Sequence, residues 1–365
     1  MPGPFRVRTV DLVRVQLPLV QAFATAHGTT QVKEALLVHV RTDDADGWGE
    51  CGALATPGYS RETIDVAHRM LRDYLVPAVR DGVDVEDAPG TPFARAALEG
   101  ALLDAELRAE GRSLAQYLLA TRERVVAGVA IGIQDDIEAL VALATAYAAQ
   151  GYRRIKCKIV PGYDVEPIAA LRKALGADIE IAADANGAYS FEEALALSAL
   201  DEYDVQCIEQ PLAPDALQEC ALLAAGLETR VCLDESVTSA ASAALAISVG
   251  AASIVNVKPG RVGGIDRARR VHDACTATAT PLLIGGMLET GIGRAANLAV
   301  AGLPSFTETG DCSASDRYFA EDLTEPFVLD ADGTLAVPTG PGIGVEPRPD
   351  MLRRSTVFRE VLRPA

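Results

Sequence analysis

The 365-residue chain predicts an α/β fold: a (β/α)8-type barrel preceded by an α+β unit and followed by a tail that packs back on that unit. Three observations predict it. Lys158, Asp184, Glu209, Asp234 and Lys258 stand 26, 25, 25 and 24 positions apart, closing the apolar runs RIKCK, IEIAADANG, VQCIEQPL, RVCLDES and SIVNVKPG. Alanine- and leucine-rich stretches of helical length lie between them, and one strand plus one helix every ~25 residues is the sequence form of such a barrel. Finally, the chain is 49% hydrophobic and exceeds a bare barrel of roughly 250 residues by about a hundred. The expected divisions are residues 1–122, 123–325 and 326–365.

Residues 5–17 and 35–50 alternate β-branched and polar residues and read as strands, the second turning at Asp46-Gly47. Thr63 to Leu75 and Pro92 to Glu110 carry helical spacing, with Gly111 as a C-terminal stop. The barrel is expected to begin at VVAGVAIG (125–132), pass through the five spaced runs, and finish with TPLLIGGM (280–287) and FTETGDCS (306–313). Helices are expected over Asp136 to Ala149, Val165 to Leu175, Phe191 to Leu200 and Ile265 to Thr276, each with an apolar face. The tail beyond about residue 325 is rich in Pro and Gly.

A formal charge of −18 argues against nucleic acid or an anionic membrane surface as partner, since either requires a basic field. The N-terminus is broken by charge before a signal-peptide core forms, so the expected location is the cytoplasm. The seven cysteines include no Cys-x-x-Cys pair and suggest neither a disulfide framework nor a zinc site.

Only five of the 33 basic residues are lysines (33, 156, 158, 173 and 258), and three of them end predicted barrel strands. Arginine stays protonated, whereas lysine can serve as a general base. Lys156 and Lys158 are two apart on one strand and point into the same mouth. Two adjacent ammonium groups disfavour each other's charged form, which is expected to bring Lys158 down. Asp184, Glu209 and Asp234 come from successive strands and meet at one point. Taken singly, each acid reads as a helix cap or surface charge; the equal spacing makes them ligands. Oxygen donors without His or Cys select a hard ion, Mg2+ with Mn2+ as the alternative. A divalent ion beside a lysine base suits removal of the proton α to a carboxylate, the metal stabilising the enediolate.

With those residues in place the chain resembles the enolase superfamily in its muconate-lactonising subgroup. The motifs DANGAYS, IEQPL, LDES, VKPGRVGG, GGMLETGIGRAAN and GDCSASDRYF stand in family order, and the likeness covers almost the whole chain. Within the subgroup it is nearest to o-succinylbenzoate synthases and the N-succinylamino acid racemases intermingled with them. The resemblance implies that residues 1–122 form a capping domain, that Lys158 takes the α-proton and that Lys258 stabilises the intermediate or acts as a second acid/base. It implies supporting roles for Lys156 and Arg261, metal binding by Asp184, Glu209 and Asp234, and substrate contacts from Gly286, Met287, Glu289, His27 and Tyr59. Arg261 matches an arginine associated with racemisation; its bland reading is an exposed loop arginine. Ala130 stands where some relatives carry serine. A small-molecule carboxylate substrate and a homo-oligomeric state are implied as well.

Other readings are weaker. GIGRAA at 291–296 follows the outline of a dinucleotide-binding turn but explains neither lysines nor acids. A muconate cycloisomerase remains a family alternative. A dipeptide epimerase is disfavoured because Asp311-Cys312-Ser313 lacks the second acid of an Asp-x-Asp. A non-enzymatic barrel has no use for titratable lysines.

Overall fold

The computed structural model describes residues 7–363. Strands β1 (Val7–Thr25), β2 (Gly28–Thr42) and β3 (Asp46–Cys51) form an antiparallel meander. Residues 5 and 6 of the first expected strand lie outside the described residues. Beyond residue 17, β1 continues to Thr25 and pairs with β2 down to Thr25 opposite Gly28, so the stretch between the two expected strands is a hairpin. The turn expected at Asp46-Gly47 falls just before β3, because Thr42 closes it by accepting from Asp44 and Ala45.

Period-two alternation lets this sheet serve two cores. Val10, Leu12, Leu36, Val38 and Val40 face a cluster with the helix Pro92–Glu110, whereas Val13, Val15, Leu17, Ala35 and Leu37 join the barrel core. That helix lies against β3 at backbone contact: a Cβ on Gly47 or Gly49 would come within 2.1 and 2.0 Å of the carbonyl oxygens of Ala101 and Ala97. The helix begun at Ile64 runs past the expected Leu75 to Arg80 through a π turn, Leu71–Leu75, after which Pro77 sits in the first turn of the next segment, where its missing N–H costs nothing.

The expected first barrel strand divides. β4 (Arg124–Val126) peels away to pair with β12 (Thr334–Ala336), and β5 (Gly128–Ile131) alone enters the barrel. β6 (Arg154–Lys158), β7 (Glu180–Asp184), β8 (Ile208–Glu209), β9 (Val231–Leu233), β10 (Ile254–Val257) and β11 (Leu282–Ile284) follow, giving a curled seven-stranded parallel sheet ordered β11-β10-β9-β8-β7-β6-β5. The eighth expected strand, 306–313, is not regular. Its backbone still bridges the gap: Glu308 and Asp311 N–H donate to Leu282 and Ile284, and Gly128 N–H donates to Cys312. A Cβ on Gly310 would come within 2.3 Å of the Ile284 carbonyl oxygen and one on Gly128 within 2.1 Å of the Gly310 carbonyl oxygen, so the segment crosses both neighbours at backbone contact. Helices Ile137–Gln150, Val165–Leu175 and Ile265–Thr276 fall where the periodicity puts them; Phe191–Ala194 passes into a 3-10 segment, Leu195–Tyr203. The last strand, β13 (Thr356–Leu362), pairs antiparallel with β1.

Among the described residues no helix is long and apolar enough to cross a membrane.

Candidate active site

Inward-facing barrel residues form layers, as strands of fixed tilt require. Ala182, Cys207, Cys232, Ile254 and Leu283 make a buried apolar floor. Two residues further along each strand the inward positions are Asp184, Glu209, Asp234, Asn256 and Gly285, so the ligand layer sits on that floor. Register agrees: Lys158 pairs with Asp184, Asp184 with Glu209, and Glu209 with Cys232, two before Asp234. The three acids are at most 1% exposed.

The expected lysines all reach this layer. Lys158 Nζ donates to Asp184 Oδ2 and Asn186 Oδ1, both at 2.6 Å. Lys156 Nζ lies 3.1 Å from Asp184 Oδ2 and 3.2 Å from Glu209 Oε1, and it also meets Asp311. Lys258 Nζ donates to Asp234 Oδ2 at 2.7 Å. Gly285 leaves room for it, since a Cβ there would come within 2.5 Å of Lys258 Cε. Arg261 is 5% exposed, not a surface arginine: it donates to the carbonyls of Val237 (2.7 Å) and Asn256 (2.5 Å) and meets Asp234 Oδ1.

Electrostatics correct the expected mutual weakening of the two ammonium groups at Lys156. Burial alone would lower the Lys156 ammonium, but Asp311, Glu209 and Asp184 outweigh it and raise its pKa. Lys156 is thus held charged. Burial likewise opposes the charge on Lys258, yet Tyr59 and Glu235 bring it above the usual lysine value. Burial would raise Asp184, but Lys158 and Lys156 hold it well below the carboxylate range; Asp311 is held down by Lys156 and Arg154 in the same way.

Phe23, His27, Leu54, Tyr59, Ala130 and Met287 wall the cavity above these groups, together with Gly286 and Tyr318. Desolvation of the His27 ring, with Lys158 nearby, pushes its pKa down. Glu289 is not brought to the mouth: its carboxylate turns back to accept from Met287 N–H (2.8 Å) and Asn297 Nδ2 (3.0 Å), so it shapes the loop. Backbone conformation is strained at Asn186, Gln210 and Leu288, non-glycine residues with φ of 46, 39 and 58° on the loops around the cavity. Gln210 ties two of those loops together by accepting from Asp234 N–H and donating to Ser236 Oγ.

Sequence reasoning missed Asp311, Asn186, Asn256 and Glu235. Asn256 was reachable by strand parity, two before Lys258; Asp311 was not, because its partners Arg154 and Lys156 depend on closure between the first and last barrel segments.

The donor set fits a hard divalent ion: three carboxylates from adjacent strands, oxygen only, with Asp184 ionised. Lysine ammonium groups stand among the three, so their oxygens are not drawn together as closely as those of Glu86, Glu99 and Asp266, which lie within 4.8 Å of one another. That second group is a helix cap. Glu99 accepts from the N–H of Ile265 and Asp266, and Arg270 neutralises Glu86. The helix start Gly291–Ala301 is likewise filled, Glu50 accepting from Thr290 and Gly293 and Asp322 from Gly291, leaving no place for a pyrophosphate.

Comparison with known proteins shows the family. Residues 139–351 match the family described as enolase C-terminal domain-like. An N-succinylamino acid racemase of an Amycolatopsis species is 50% identical over 96% of this chain and 97% of its own length. An o-succinylbenzoate synthase of Geobacillus kaustophilus is 40% identical, covering 97% of each. The crystal structure of an enolase-superfamily protein of Listeria innocua superposes with a TM-score of 0.93 at 35% identity, over 99% of this chain and 100% of that one.

Proposed function

The chain belongs to the enolase superfamily, whose enzymes use a divalent metal, and we propose that it is an o-succinylbenzoate synthase that also racemises N-succinylamino acids in the same site. The observation that carries this reading is the placement of Lys158 on β6 and Lys258 beside β10, with the acid-bearing strands β7, β8 and β9 between them and both amines lining one cavity.

In the proposed dehydration, Lys158 removes the proton α to the carboxylate of 2-succinyl-6-hydroxy-2,4-cyclohexadiene-1-carboxylate. The ammonium so formed returns that proton to the departing hydroxyl on the same face, and water leaves syn as the ring becomes aromatic. Asp184, Glu209 and Asp234 would hold Mg2+, which would supply charge stabilisation at the substrate carboxylate. Lys258 faces the developing charge from the other flank, Lys156 keeps Glu209 and Asp184 compensated, and His27 and Tyr59 of the N-terminal unit close with Gly286 and Met287 of the barrel over the succinyl group. Two observations favour racemisation in addition: the 50% identical relative and the burial of Arg261 against Asp234. The Lys258 ammonium on the far flank then delivers its proton to the opposite face of the carbon that Lys158 deprotonated. A dipeptide is not favoured, since Asp311 is committed to Arg154 and Lys156. The proposed setting is the cytoplasm, as a homo-oligomer.

Purified enzyme assayed for o-succinylbenzoate formation with and without EDTA tests the reading. Metal-dependent product that disappears in Lys158→Ala is expected; full activity after EDTA, or in Lys158→Ala, contradicts it.

A further inference from the structure

The two lysines are held by different parts of the molecule. Lys158 is fixed by barrel oxygens of Asp184 and Asn186. Lys258 has Asp234 as its hydrogen-bonded carboxylate, and its ammonium also lies 4.3 Å from the ring centroid of Tyr59. Tyr59 follows an exposed stretch, residues 55–58, of the N-terminal unit. Its hydroxyl nevertheless enters the barrel, donating to Asp234 Oδ1 at 3.0 Å and accepting from Arg261 at 3.1 Å. Of the chain's five lysines, Lys258 is the one that faces an aromatic ring among the described residues.

A lysine has four rotatable side-chain bonds, and one carboxylate fixes the ammonium at a single point. A ring face within about 6 Å adds a second, broad attraction that survives small shifts and strengthens when water is excluded. On the glycine side, Gly285 offers no side chain to confine Lys258. We propose that Tyr59 is a positioning residue for Lys258: its ring seats the ammonium on the flank opposite Lys158, so that the second proton-transfer face is completed by the N-terminal unit and the first by the barrel alone. The proposal rests on the two-lysine reading above.

Two readouts test it. In D2O, α-proton exchange is followed for both enantiomers of an N-succinylamino acid, Lys258→Ala identifying the enantiomer that depends on Lys258. Tyr59→Phe loses both hydroxyl contacts but keeps the ring, and it is expected to slow both enantiomers by similar factors. Tyr59→Leu loses the ring, and it is expected to slow the Lys258-dependent enantiomer about tenfold more than the other. Independently of substrate, the ε-methylene NMR signals of the five lysines should show one shifted upfield by the ring, assigned by Lys258→Arg. Tyr59→Leu should return it to the ordinary position and Tyr59→Phe should not, while the remaining lysine signals report an intact fold. Equal slowing of both enantiomers in Tyr59→Leu, or an unmoved Lys258 signal, overturns the proposal. Should the wild type exchange neither enantiomer, the substrate reading fails, and the Lys258 signal still decides where the ammonium sits.

Discussion

Asp184 and Asp311 at the barrel mouth are held well below the usual carboxylate range, because Lys158, Lys156 and Arg154 overcome the burial that would raise them. At the seam between the N-terminal unit and the barrel, Glu50 and Glu99 meet backbone N–H groups at helix starts instead, and burial pushes both up to about 7. Both regions bury acids, and what differs is the partner. Two cations at each mouth acid keep it ionised, whereas neither helix-end partial charges nor the single Lys33 ammonium near Glu50 outweighs desolvation at the seam. On the proposed function the mouth is the reactive region and the seam a structural one.

That contrast can be broken or sharpened by experiment, starting with the largest effect. Lys158→Ala should lower kcat by roughly 10^3, the scale of a lost general base, measured as o-succinylbenzoate formation. EDTA should cost about a hundredfold or more in the same assay, with recovery on adding Mg2+. Gly49→Ala attacks the seam, where its Cβ would lie 2.0 Å from the Ala97 carbonyl oxygen. It should destabilise the protein by about 3 kcal/mol in urea denaturation, through overpacking, while folded enzyme keeps its metal dependence.

The smallest effect is that of pH on Glu99. Its folded value of about 7 exceeds the ordinary 4.5, so as pH rises the unfolded chain loses this proton first. The stability contributed by the group is present below about 4.5 and is lost between about 4.5 and 7. Wild type minus Glu99→Gln stability, from urea curves, should fall by about 2 kcal/mol across that window. A constant difference would show that the seam acids are compensated like those of the mouth.

The strand-end residues of the mouth were legible in the sequence; Asp311 and the seam were not. Each barrel strand delivers one inward residue at its end, so RIKCK coincides with β6, and the acids and Lys258 follow at strand-plus-helix intervals. The helices Pro92–Glu110, Val165–Leu175 and Ile265–Thr276 begin and end where their caps and apolar faces put them. What could not be read depends on pairs far apart in the chain. Glu50 and Glu99 cap helices at Gly293 and Ile265. Lys33, one of the scarce lysines, is 1% exposed and donates to the Met287 carbonyl, so it anchors a loop and not a reaction. Glu289 turned away for the same kind of reason, being claimed by Met287 N–H and Asn297. The close backbone approach of Gly310 to Ile284 and Gly128 is likewise a contact between distant segments that no local pattern announces.

The central claim, that Lys158 and Lys258 address opposite faces of one substrate carbon, is tested most directly by α-proton exchange of each N-succinylamino acid enantiomer in D2O with Lys158→Ala and Lys258→Ala. Each variant should lose exchange of a different enantiomer. Loss of the same enantiomer in both, or retention of both enantiomers in either variant, would contradict a two-faced site.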